Sequence, residues 1–88
     1  MDDAALVRQA MAGGAMAYEQ LVRRWAARVL AVCRARVRHD ADAAEDLAQE
    51  ALVRGWRALP TLDDANRFGP WICGIASRAC LDWLKSPK

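Results

Sequence analysis

The chain has 88 residues, enough for one domain with one modest hydrophobic core. At 55% hydrophobic and 27% charged it is too apolar for a disordered segment and too charged for a membrane protein, and no stretch approaches the ~20 consecutive apolar residues of a membrane span. The net charge of +2 is small, but its distribution is uneven: six arginines and no acid lie between Arg23 and Arg38, and five acids and no base between Asp40 and Glu50.

The first of these segments suits a polyanion or an acidic partner and the second a basic one, although two helices facing each other or water would use the same charges. The start, Met1-Asp2-Asp3, is acidic, unlike the basic and then apolar opening of a secretory signal. A cytoplasmic protein is the simplest expectation.

Helix formers dominate and no segment alternates apolar and polar residues for long, so the pattern predicts an all-α fold, a compact three- to four-helix bundle. A short first helix is expected over about residues 3–11, with Asp2 or Asp3 at the positive end of its dipole and Gly13-Gly14 ending it. The second, about 15–37, carries Tyr18, Leu21, Val22, Trp25, Val29, Val32 and Cys33 at the 3.6-residue period, which makes them its buried stripe.

The third helix, about 42–59, has Asp42 or Asp40 as its cap, and Asp42-Ala43-Ala44-Glu45 has the spacing of a capping box. Its apolar face is Ala44, Leu47, Ala48, Ala51, Leu52, Gly55, Trp56 and Leu59; the other face carries Glu45, Asp46, Gln49, Glu50, Val53, Arg54 and Arg57. A glycine in the apolar face costs roughly 1 kcal/mol of helix propensity, so close packing is the expected reason for Gly55. Residues 60–67 read as a polar loop, and Pro70 belongs in the first turn of a fourth helix, about 70–85, with Ile72, Ile75, Ala76, Ala79 and Trp83 facing the core.

Chemistry is poorly supported. There is no Gly-rich phosphate loop, HExxH or GxSxG motif, and one His with three Cys (Cys33, Cys73, Cys80) in no CxxC pair fits buried thiols better than a metal site or a disulfide framework. Binding has more to show. Asp46, Gln49, Glu50 and Val53 fall at i, i+3, i+4 and i+7, one line along the third helix. A basic partner helix could dock there with Val53 as a dry contact, or Val53 is simply an exposed valine; spacing leaves these even. In the loop, Asn66 and Arg67 are of types that read base edges, and Phe68 and Trp71 are of types that stack on bases, although a core role suits the two aromatics better.

The run from Asp42 to Leu59, DAAEDLAQEALVRGWRAL, closely resembles the second conserved region of sigma-70-type transcription factors, especially the extracytoplasmic-function class. The run from Phe68 to Lys85 resembles the helix that follows it, and the run from Tyr18 to Trp25 the helix that precedes it. The resemblance implies a promoter-melting, polymerase-binding module that is no enzyme and uses no metal or cofactor. Asp46, Gln49, Glu50 and Val53 match the surface that docks on the coiled-coil clamp helices of the largest catalytic subunit of core RNA polymerase. Residues 60–67 match the segment that captures a flipped base of the −10 promoter element on the nontemplate strand, with Asn66 and Arg67 as its contacts.

Arg78 and Lys85 match the side of the last helix that meets backbone phosphates. An anti-sigma factor that covers the polymerase-binding face is a further implied partner, and as the principal one it makes the alternative reading. The family commonly has basic or larger polar residues where this chain has Gly69, Gly74 and Ser77, so a DNA-facing side poorer in charge is expected. The family's later helix-turn-helix domain, which reads the −35 element, is not among these residues, so an excised fragment is expected rather than an unusual short protein.

Overall fold

The computed structural model describes residues 1–87, and they form four helices with no strand among them: α1 (Asp3–Met11), α2 (Ala15–Arg36), α3 (Ala41–Ala58) and α4 (Phe68–Lys85). Two short 3-10 turns, Leu59–Thr61 and Ala65–Arg67, occupy most of the segment between α3 and α4. That segment, expected as irregular loop, is therefore largely ordered by local hydrogen bonds.

Each boundary has a local cause. Asp2 caps α1, its carboxylate accepting from the Ala5 amide at 2.8 Å. Gly13, at φ +98°, makes the left-handed turn that ends the helix, which a side chain would resist. Asp40 caps α3, accepting from the Ala43 amide at 2.9 Å, which leaves Asp42 inside the first turn and replaces the capping box expected from Asp42 and Glu45. The Ala65–Arg67 turn runs straight into α4, which starts two residues earlier than the sequence suggests. Pro70 still falls in the first turn, where no amide hydrogen is needed.

The core lies where α2, α3 and α4 meet, with α1 laid across α2. Phe68, Leu6, Leu21, Leu59, Ile72, Val7, Val29, Cys33 and Cys80 are its largest fully buried side chains. Most of the expected α2 stripe is there, with Val22, Trp25 and Val32 only partly covered. The thiols of Cys33 and Cys80 share a hydrogen bond across α2 and α4; burial first, then that bond, pushes Cys33 up to about 12. They behave as small core side chains.

Gly55 is buried as its position implied. A methyl group there would collide with the Ile72 side chain and lie 2.7 Å from the Tyr18 hydroxyl, which donates to the Leu52 carbonyl and ties α2 to α3. One expectation for the apolar faces fails: Trp56 is 39% exposed, lying on Tyr18 at the edge of the bundle instead of inside it. Trp83 packs against the core as expected, though only half-buried. No helix among the described residues is long and apolar enough to cross a membrane.

Candidate functional site

All four residues of the α3 line, Asp46, Gln49, Glu50 and Val53, are exposed. They stand on a ridge between two unlike depressions. On one side an open groove of about 620 Å³ runs between α3 and α4, lined by the carboxylates of Asp40, Asp42, Asp46, Glu50 and Asp82, with Arg54 as its one cation among the described residues. On the other side Gln49 and Val53 border a shallow apolar cleft of about 460 Å³ between α2 and α3, completed by Tyr18, Val22, Leu52 and Trp56. Val53 is 51% exposed and Trp56 adjoins it, so the valine is one part of an apolar patch and not a lone surface residue.

The charges of the ridge are not equivalent. Glu50 pairs with Arg54 at 2.8 Å, Arg54 reaches Asp82 on α4 at 3.5 Å, and Asp82 holds Arg78 at 3.2 Å. Such exposed pairs contribute roughly 0–1 kcal/mol each, so this chain of ions orients side chains more than it stabilises the fold. Asp46 has no ion-pair partner among the described residues. It is the ridge charge most ready to receive a cation from outside.

A second surface lies at the α3–α4 connection. Asp64 organises it: its carboxylate caps the Ala65–Arg67 turn and accepts from both the backbone and the side-chain amide of Asn66, at 2.9 and 3.3 Å. Asn66 is thus exposed but held, with one end of its amide engaged. Arg67 borders a shallow groove of about 490 Å³ together with Thr61, Leu62, Asp63, Asp64, Pro70 and Trp71.

The two candidate aromatics part company here. Phe68 is wholly buried, edge-on to Tyr18 with centroids 6.2 Å apart, whereas Trp71 leans on Phe68 and opens onto the groove. Arg78 and Lys85 are exposed and seven residues apart, which puts them on one side of α4 roughly 10 Å apart. Of the three positions where the family commonly has larger groups, only Gly74 is exposed; Ser77 is half-buried and Gly69 is buried beneath Trp25.

The family comparison decides the identity: residues 16–88 match the model of sigma-70 region 2. The chain belongs to the sigma-70 region 2 family. It is 39% identical over 79 residues to a probable RNA polymerase sigma factor, RfaY, of Xanthomonas campestris pv. campestris, an overlap of 90% of this chain and 20% of that protein. It is 34% identical over 74 residues to the RNA polymerase sigma-H factor of Pseudomonas aeruginosa, covering 84% of this chain and 38% of that one. The chain therefore spans well under half the length of either relative. No solved structure matches it significantly.

Sequence reasoning missed Trp56, Asp64 and the Arg54–Asp82 link. Asp64 carried a signal, an Asp two residues before Asn66, the spacing at which an Asx turn forms. Trp56 lies at the margin of its helix face, where periodicity does not decide exposure, and the Arg54–Asp82 contact joins helices whose rotation no single-helix pattern fixes.

Proposed function

We propose that this chain is the region 2 module of a transcription initiation factor of the extracytoplasmic-function class. In this reading it docks core RNA polymerase through α3 and captures the nontemplate strand of the −10 promoter element at the α3–α4 connection. The observation that carries the reading is the α3 ridge. Uncompensated acid at Asp46 and an apolar patch at Val53 and Trp56 stand side by side on a rigid helix, chemistry suited to a basic, partly apolar pair of clamp helices. Glu50 and Gln49 complete the contact, Glu50 by exchanging its own Arg54 for a cation of the partner.

At the connection, Asn66 and Arg67 offer base-edge donors and acceptors, and Trp71 offers a half-open ring face beside them. Extruding a base costs a few kcal/mol, which stacking and edge contacts must offset. Arg78 and Lys85 take backbone phosphates further along α4, with Arg78 leaving Asp82 to do so. Such a module works in the cytoplasm beside the chromosome and needs no cofactor. The apolar cleft beside Gln49 also favours a second partner, an anti-sigma factor, which by covering Val53 and Trp56 would exclude polymerase.

Asn66→Ala tests the DNA half of the reading. It is expected to weaken binding of a single-stranded nontemplate −10 oligonucleotide about tenfold, the scale of one lost specific base contact, and to leave binding of clamp helices unchanged. Equal oligonucleotide affinity in the variant and the parent contradicts the assignment.

A further inference from the structure

The matched region begins at residue 16, so α1 lies outside it. Yet α1 is built into the connection that carries Asn66 and Arg67: it packs on α2, directly on the Ala65–Arg67 turn, and on α4. A polar tie adds to this packing. Asp3, the first residue of α1, accepts from the Trp25 indole nitrogen at 2.8 Å through one carboxylate oxygen and from Arg24 at 3.0 Å through the other. Arg24 also donates to the Met1 carbonyl. The Trp25 ring held in this way lies against Gly69, so closely that a methyl group on Gly69 would collide with it, and Arg28 stacks over the ring 5.5 Å from its centroid.

Gly69 is the second residue of α4. On one side of it stands Phe68, immobile in the core, and on the other Pro70, which lines the groove with Arg67 and Trp71. The Asp3–Trp25 bond is half-buried and charge-assisted, a stronger constraint than an exposed ion pair. A shift of the Trp25 ring must therefore be answered by a shift at the start of α4, where the groove is made.

We propose that Asp3 and Trp25 are positioning residues for the base-capturing connection. The Asp3 carboxylate holds Trp25 against Gly69, and through Gly69 it fixes Asn66, Arg67 and Trp71 in the arrangement that receives a nontemplate base. This rests on the capture reading above. A flipped base is bound well only by groups already in place, because ordering them at the moment of binding consumes affinity. Arg78 and Lys85, two or more turns further along α4, are outside the reach of this tie.

The test uses the whole 88-residue chain. It reads affinity for a nontemplate −10 oligonucleotide relative to a scrambled one of equal length, in the parent, Trp25→Phe, Asp3→Ala and Asp3→Glu. Trp25→Phe and Asp3→Ala are expected to cut that ratio about tenfold, as for one lost charge-assisted hydrogen bond, without changing affinity for the scrambled strand or its salt dependence. Asp3→Glu restores most of the ratio.

Asp3→Ala also removes a charge that favours the start of α1, but Trp25→Phe does not, so agreement between the two separates positioning from loss of α1. Amide exchange over residues 65–72 quickens in both variants while that over 44–51 does not. A parent that discriminates, with variants that discriminate equally or lose both affinities together, overturns the inference alone. A parent with no preference overturns the capture reading and the inference with it.

Discussion

Phe68 is the side chain on which the centre of the molecule depends. It is fully buried between Tyr18 and Trp71, so Phe68→Ala is expected to cost about 3–5 kcal/mol, read as a lower midpoint in urea unfolding followed by circular dichroism. Trp83→Ala is expected to cost less, because Trp83 packs against the core but is only half-buried. A second residue-scale effect is alkaline. Burial pushes the Tyr18 hydroxyl from 10.0 up to about 12 and, with the Cys80 hydrogen bond, the Cys33 thiol from 9.0 up to about 12. In the unfolded chain both groups lose their protons first, so the contribution is fully present below pH 9 and is lost as pH rises through the folded values near 12. Melting temperature should therefore fall between about pH 9 and pH 12, and Tyr18→Phe should make the fall above pH 10 shallower. An equal slope in the variant would mean that Tyr18 is not protected from ionising.

At the scale of the element, α3 shows how much of this molecule can be read in advance. Its register, its buried alanines, Gly55 and its exposed ridge follow from a 3.6-residue pattern, because one helix face must be apolar to pack on two neighbours. Its cap did not follow, since Asp40 and Asp42 are chemically alike and only the turn after Val37 puts the Asp40 carboxylate over the Ala43 amide. Asp40→Ala is accordingly expected to destabilise the domain by about 1 kcal/mol, and Asp42→Ala by only a few tenths through the helix dipole, both measurable by chemical unfolding. The connection to α4 was the least legible part. Its polar residues say loop, but Asp64 turns them into a held 3-10 turn, and the contact of α1 with that turn depends on the path of the whole chain. Asn66 and Arg67 were singled out by residue type alone; their fixation by Asp64 and their place beside Trp71 emerge only when the helices are assembled.

Over the whole molecule, four aromatic rings join the two candidate surfaces. Trp56 beside the α3 ridge lies on Tyr18, Tyr18 on Phe68, and Phe68 on Trp71 at the loop groove. Membership of the sigma-70 region 2 family and the exposed ridge together lead to one central claim, that α3 docks polymerase. The measurement that tests it most directly is binding of the chain to an isolated clamp-helix fragment of the largest polymerase subunit, with Asp46→Arg beside the parent. Asp46 is exposed and lacks an ion-pair partner among the described residues, so the reversal leaves the fold intact and puts a cation where the docking helix brings its own. The expected result is binding by the parent and a loss of about a hundredfold or more in the variant, with a native circular dichroism spectrum in both. Equal binding by two folded proteins would contradict the claim that this ridge is the docking face.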